Sequence, residues 1–139
     1  MRVMIVEDQT MIRSLLENYF RAEGGYQIVA SIPSAKQAVE VCRTSQVELI
    51  LMDVQTERGE NGLTAVRQIK AMNPKSKIIV VTSLIDCAVL DESKQAGADS
   101  LWYKDSTEKR LMDVVRKTMA GEHIFPDTPP TVEIGMAKS

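Results

Sequence analysis

The chain has 139 residues, of which 44% are hydrophobic, and this is the size of one globular domain with its own core. Its formal net charge of −2 argues against the strongly basic surface that binds a nucleic-acid backbone. Two cysteines, Cys42 and Cys87, and one histidine, His123, exclude a disulfide framework and a histidine-rich metal site. Charged residues follow the first apolar residues closely, so we expect no signal peptide, no membrane span and a cytoplasmic location.

Five short apolar runs alternate with amphipathic stretches along the chain. The predicted strands are residues 3–6, 27–32, 47–52, 77–81 and 100–103. Their apolar residues are continuous rather than alternating, which is typical of a parallel sheet that is buried on both faces. The sequence therefore predicts an α/β fold, a doubly wound five-stranded parallel sheet with helices on both faces.

Helices are predicted where apolar residues recur at helical spacing. The positions in this spacing are Ile12, Leu15, Leu16, Tyr19 and Phe20, then Ala35, Ala38, Val41 and Cys42, then Leu63, Val66 and Ile69, then Ala88, Val89 and Ala96, and finally Leu111, Val114, Val115, Thr118 and Met119. Ser34, with Gln37 as its capping-box partner, is predicted to cap the second helix, and Ser106 the last. The final segment contains three prolines, so we expect a domain at 1–121 and a linker or tail at 122–139.

Polar residues stand where the apolar runs end. They are Glu7 and Asp8 after the first strand, Asp53 after the third, Thr82 and Ser83 after the fourth, and Lys104 and Asp105 after the fifth. Taken singly, each has a simpler explanation as a solvated acidic pair, a loop residue, a helix cap or a surface lysine. Ligands of doubly wound sheets, however, bind beyond the carboxyl ends of the strands. Together these residues predict a site at that end of the sheet.

The residue types in this predicted site restrict its chemistry. Three carboxylates close together repel one another unless one is protonated or a cation neutralises them. Oxygen ligands without histidine or cysteine suit a hard divalent ion, and Mg²⁺ leaves coordination positions for water and phosphate oxygens. With a lysine and a threonine hydroxyl added, the set matches phosphoryl transfer onto a carboxylate nucleophile.

The order of these motifs resembles the receiver domain of two-component response regulators. The matching residues are ED near the N-terminus, a lone aspartate ending the third strand, TS after the fourth, AGAD, and then lysine. The resemblance covers residues 1 to 121 and implies the flavodoxin-like, CheY-like fold. It also implies the following roles: a phosphoacceptor at Asp53, Mg²⁺ or Mn²⁺ ligands from Glu7, Asp8, Asp53 and the Gln55 carbonyl, a switching hydroxyl on Thr82, and a phosphoryl-pairing lysine at Lys104. A sensor histidine kinase would be the donor, and the chain would be a signalling domain, not an enzyme.

The sequence around Lys104, WYKDS, and the later GEHIFP look like the NarL/LuxR-type regulators. The resemblance implies a helix-turn-helix DNA-binding domain after this chain, and the expected output of phosphorylation is homodimerisation or release of that domain. Two features depart from the family pattern. Thr56 and Glu57 replace the usual Met-Pro pair in a longer loop, and Leu101 occupies the aromatic switch position. Core packing explains the neighbouring aromatics, Trp102 and Tyr103, at least as well as a switch role does.

Two other classes of protein remain as alternatives. A magnesium-dependent phosphatase of the haloacid-dehalogenase type also uses an aspartate after a strand, but Gln55 stands where that class needs a general-acid aspartate. A flavodoxin-like cofactor-binding module needs a glycine-rich or hydroxyl-rich loop after the first strand. The EDQTM sequence found there is acidic instead.

Overall fold

The computed structural model describes residues 1–56, 59–83, 87–104 and 108–126, with Cys87 described by its backbone alone. The predictions made for Glu57, Asp105 and Ser106 lie outside the described residues, as does most of the tail. No helix within the described ranges is both long and apolar enough to cross a membrane.

Five parallel strands form one sheet in the order β2-β1-β3-β4-β5. The strands are β1 (Arg2–Val6), β2 (Gln27–Ile32), β3 (Leu49–Asp53), β4 (Lys77–Thr82) and β5 (Ser100–Tyr103). The helices are α1 (Thr10–Glu23), α2 (Ala35–Thr44), α3 (Gly62–Met72), α4 (Cys87–Ala96) and α5 (Glu108–Met119). The predicted fold class is therefore confirmed, because each apolar run is a strand and a helix follows it.

The sheet separates two apolar clusters. Successive residues of a strand point to opposite faces, so Ile50 and Met52 join one cluster while Leu49 and Leu51 join the other. Helices α2, α3 and α4 cover the first cluster, and α1 and α5 cover the second. Both faces of the central strand β3 are thus buried, which explains why its apolar residues are continuous.

The helix ends follow the predicted signals with some exceptions. The Ser34 hydroxyl accepts a hydrogen bond from the Gln37 N–H at 3.2 Å, so the predicted cap of α2 is confirmed. Helix α1 begins after Gln9, whose side chain makes no capping hydrogen bond. Leu15 is 39% exposed, because α1 turns Leu16 and Phe20 toward the sheet and leaves Leu15 at the border of the solvent face.

The end of the sheet opposite the predicted site contains a buried ion pair. Lys70, at the end of α3, places its Nζ 2.7 Å from Oδ2 of Asp99, and the same oxygen accepts the Ile78 N–H at 2.8 Å. Beyond α5, the Ile124 carbonyl accepts the Leu101 N–H at 2.9 Å, and Phe125 packs against the first cluster. Residues 122–126 thus follow the free side of β5.

Candidate functional site

An open pocket of about 360 Å³ lies at the carboxyl end of the sheet. Its lining residues are Asp8, Gln9, Asp53, Val54, Gln55, Thr56, Gly59, Thr82, Ser83 and Lys104. Four different strands end here, and parallel strands direct their carboxyl ends to the same side of a sheet. The residues that the sequence singled out are therefore brought together, although they are far apart in the chain.

The pocket contains a cluster of three carboxylates. Asp53 is the last residue of β3 and is 5% exposed, while Glu7 directly follows β1 and is fully buried. Together with Asp8 they place one carboxylate oxygen each within 4.8 Å of one another. Glu7 is held by the Gln9 N–H, which donates to its Oε2 at 3.0 Å. Its burial excludes the simpler explanation that Glu7 belongs to a solvated acidic pair.

Lys104 is the cation that faces this cluster. Its Nζ lies 2.7 Å from Oε1 of Glu7 and 3.4 Å from Oδ1 of Asp53, and its side chain is only 11% exposed. The Lys104 N–H donates to the Thr82 carbonyl at 2.9 Å, which fixes the backbone at the end of β5. Lys104 is thus not an ordinary surface lysine, since it offsets the charge of two buried carboxylates.

The electrostatics of the pocket act most strongly on Asp53. Burial and, second, the nearby Glu7 carboxylate raise the pKa of the Asp53 carboxyl to about 7. Lys104 and a hydrogen bond from the Gln55 N–H oppose this rise in pKa. Without a further cation, Asp53 is therefore only partly ionised near neutral pH.

The remaining predicted residues lie around Asp53. Thr82 is the last residue of β4, 1% exposed, and it lines the pocket with Gln55. The aromatic residues Trp102 and Tyr103 are buried on opposite faces of β5, in the second and first cluster respectively. Both residues therefore pack in the core, as the core-packing explanation of these aromatics predicts.

Sequence reasoning did not find Gln9, Arg13 or Glu60 near the pocket, and it noted Thr56 without assigning it a role. Gln9 lines the pocket, and Arg13 donates from its guanidinium to the Glu7 carbonyl at 2.8 Å. Thr56 is 2% exposed, and its hydroxyl donates to Oε1 of Glu60 at 3.2 Å. Polar residues in a loop carry no periodic signal, so only the departure from Met-Pro drew attention to Thr56.

The donor set is that of a site for a hard cation. Within the part of the chain that the structure describes, the three clustered residues are all carboxylates, and the pocket beside them is wide enough for water or a phosphate group. Divalent ions that prefer oxygen ligands fit such a set better than metals that prefer nitrogen or sulfur.

Comparisons with known proteins agree with this fold. The family model of the response regulator receiver domain matches residues 3–116. The response regulator protein VraR of Staphylococcus aureus (strain Mu3) is 32% identical over 124 residues, which is 89% of this chain and 59% of VraR. The chain therefore spans about three fifths of the length of such curated relatives.

Solved structures resemble the chain at lower sequence identity. A LuxR-family two-component response regulator from Aurantimonas sp. SI85-9A1 superposes with a TM-score of 0.84, at 23% identity, over 99% of this chain and 95% of that one. A CheY-like receiver domain protein from Methanospirillum hungatei superposes with a TM-score of 0.78, at 22% identity, over 86% of this chain and 93% of that one.

The chain belongs to the response regulator receiver domain family. It is thus a domain of two-component signalling.

Proposed function

We propose that Asp53 accepts a phosphoryl group from a phosphohistidine of a sensor histidine kinase. The observation that carries this proposal is the position of Asp53, a buried carboxylate at the end of β3 with Lys104 Nζ 3.4 Å from its Oδ1. A rigid strand holds the nucleophilic oxygen, and the open pocket leaves room for the donor group in front of it. The pocket thus combines a nucleophile with a cation for the transferred group.

In the transfer, one oxygen of Asp53 forms a bond to phosphorus while the bond from phosphorus to the donor's histidine nitrogen breaks. The electron pair of the broken bond stays on that nitrogen. Lys104 supplies a fixed positive charge near the equatorial phosphoryl oxygens, and Thr82 lines the same pocket. Both groups act by electrostatics and hydrogen bonding and are unchanged after the transfer.

We infer that the acidic cluster holds Mg²⁺, or Mn²⁺ in its place. Glu7, Asp8, Asp53 and the Gln55 carbonyl are the proposed protein ligands, in direct or water-mediated contact. When bound, the ion neutralises part of the charge of the carboxylates and the phosphoryl oxygens. Its support is the spacing of three carboxylate oxygens within 4.8 Å, because Lys104 alone supplies one positive charge against three carboxylates.

We propose a signalling output, not steady catalytic turnover. A phosphoryl group adds roughly one and a half to two negative charges at the carboxyl end of the sheet. Movement of Thr82 toward the new oxygens would bias the surface formed by α4, β5 and α5, and dimerisation is the proposed consequence. Residues 1–121 form the proposed receiver, and residues 122–139 lead toward a helix-turn-helix DNA-binding domain of a longer cytoplasmic protein.

Incubation with acetyl phosphate and Mg²⁺ tests this function directly. We expect mass spectrometry to find one phosphoryl group on Asp53 in the wild type and none in Asp53→Asn, because an amide is not a nucleophile here. The matched control is Asp91→Asn, an exposed aspartate of α4 that is expected to leave labelling unchanged. Labelling at another residue would contradict the proposal. Steady hydrolysis of a phosphomonoester would favour the phosphatase alternative instead.

A further inference from the structure

The loop between β3 and α3 is hydrogen-bonded to the start of α2. Oε1 of Glu60 accepts hydrogen bonds from the Ser34 hydroxyl at 2.7 Å, the Thr56 hydroxyl at 3.2 Å and the Lys36 N–H at 3.3 Å. The Thr56 hydroxyl in turn accepts the Ala35 N–H at 3.0 Å. We call these contacts the Thr56–Glu60 network.

The network satisfies the backbone donors at the first turn of α2. A helix leaves its first N–H groups without partners inside the helix. Here Thr56 accepts the N–H of Ala35, Glu60 accepts that of Lys36, and Ser34 accepts that of Gln37. The carboxylate also lies at the positive end of the helix dipole, and the Ser34 hydrogen bond lowers the pKa of the Glu60 carboxyl. Glu60 is therefore a fixed anionic contact.

The same network is hydrogen-bonded to the backbone next to Asp53, the proposed phosphoacceptor. The Thr56 N–H donates to the Glu60 carbonyl at 3.0 Å, and Gln55 pairs with Asn61 in an isolated antiparallel bridge. Gln55 lies between this network and Asp53, whose carboxylate accepts the Gln55 N–H. Thr56 is 2% exposed, and its hydroxyl is held by hydrogen bonds to both the Glu60 carboxylate and the Ala35 N–H.

We propose that Thr56 and Glu60 are positioning residues, which fix Gln55 against Asp53 by anchoring the loop to the start of α2. The proposal rests on the proposed function, in which the Gln55 carbonyl is a metal ligand. It also gives the departure from Met-Pro a role, because a threonine hydroxyl provides the acceptor that the Ala35 N–H uses. Residues that orient a metal ligand typically change metal affinity when they are lost.

Mg²⁺ titration by calorimetry, with four variants, tests the proposal. We expect Thr56→Val and Glu60→Ala to weaken Mg²⁺ binding about tenfold, because each removes hydrogen bonds that hold the loop. Glu60→Gln keeps an oxygen at the accepting position, so its Mg²⁺ affinity should stay within about twofold of wild type. Glu40→Ala removes a carboxylate from the exposed side of α2 and should leave the Mg²⁺ affinity unchanged. Faster amide exchange at Gln55 in the two disrupted variants is the accompanying structural readout.

Three results would overturn the positioning role. One is unchanged Mg²⁺ affinity in Thr56→Val and Glu60→Ala together with a lowered melting temperature, which would make the network purely structural. Another is an equal loss of Mg²⁺ affinity in Glu60→Gln and Glu60→Ala, which would show that the charge of Glu60 matters rather than its hydrogen bonds. The third is unchanged amide exchange at Gln55. Glu60 is only half-buried, so Glu60→Ala is expected to fold even if Thr56→Val does not.

Different results are expected if the proposed function itself is wrong. In that case the wild type itself would bind no Mg²⁺ and Asp53 would take no phosphoryl group. If the wild type does both and the variants match it, only the positioning role is wrong.

Discussion

Gly62→Ala is expected to destabilise the fold strongly and to impair phosphorylation of Asp53. Gly62 is the first residue of α3, and a Cβ atom added to it would lie 1.9 Å from the Asp53 carbonyl oxygen and 2.9 Å from the Asp53 carbonyl carbon. The atoms in the way belong to the backbone, so no side-chain rotation relieves the overlap. We expect a loss of about 3 kcal/mol or more, at the upper end of the range for overpacking.

Thermal unfolding and acetyl phosphate labelling measure this effect. The expected lowering of the melting temperature is roughly 10 °C for a domain of this size. The control is Gly59→Ala in the same loop, where a Cβ atom meets nothing within 4 Å and only the φ of +70° is unfavourable. This strain costs roughly 1 to 2 kcal/mol. Equal melting temperatures for the two variants would contradict the close approach of Gly62 to Asp53.

Asp53→Asn is expected to raise the melting temperature of the metal-free protein, by an amount that depends on pH. In the wild type, burial and Glu7 raise the pKa of the Asp53 carboxyl to about 7, whereas the unfolded chain has an ordinary carboxyl. Between about pH 4 and pH 7 the folded state therefore binds more protons than the unfolded state. The free energy of unfolding of the wild type falls as the pH rises through this window.

The asparagine variant lacks this titration, so the difference between the two proteins should be small at pH 4.5, grow toward pH 7 and then level off. Melting curves across this range, in buffer with a chelator, measure it. The control is Asp99→Asn at the opposite end of the sheet, which should lower the melting temperature because it removes the ion-pair partner of Lys70. A difference that stays constant with pH would show that Asp53 does not titrate in this window. Added Mg²⁺ should stabilise the wild type more than Asp53→Asn.

Both predictions concern residues around the end of β3. The sequence predicted a functional role for only one of them, Asp53. Asp53 was visible because a carboxylate ends a continuous apolar run. The role of Gly62 was not visible in the sequence, since its contact with the Asp53 backbone depends on how α3 returns to the sheet.

Most of the fold followed from local patterns. Continuous apolar strands and helical spacing predict a parallel sheet with two covered faces, because such strands are stable only when both faces are buried. The same spacing put Leu15 among the apolar positions of the first helix together with Leu16, but Leu15 is 39% exposed. Leu15 and Leu16 are neighbours in the chain, so one helix face cannot bury both equally, and packing against the sheet favoured Leu16.

The amino-acid sequence alone predicted that Asp8, Asp53, Thr82 and Lys104 meet at one site, since all parallel strands present their carboxyl ends on one side of the sheet. The tertiary structure decided how those residues interact. Lys104 pairs more closely with Glu7 than with Asp53, at 2.7 Å against 3.4 Å, and no spacing in the chain encodes that choice. The contact of Glu60 with Ser34 joins residues 26 positions apart. Such contacts depend on where two loops meet after the sheet has formed, which is why only the folded chain reveals them.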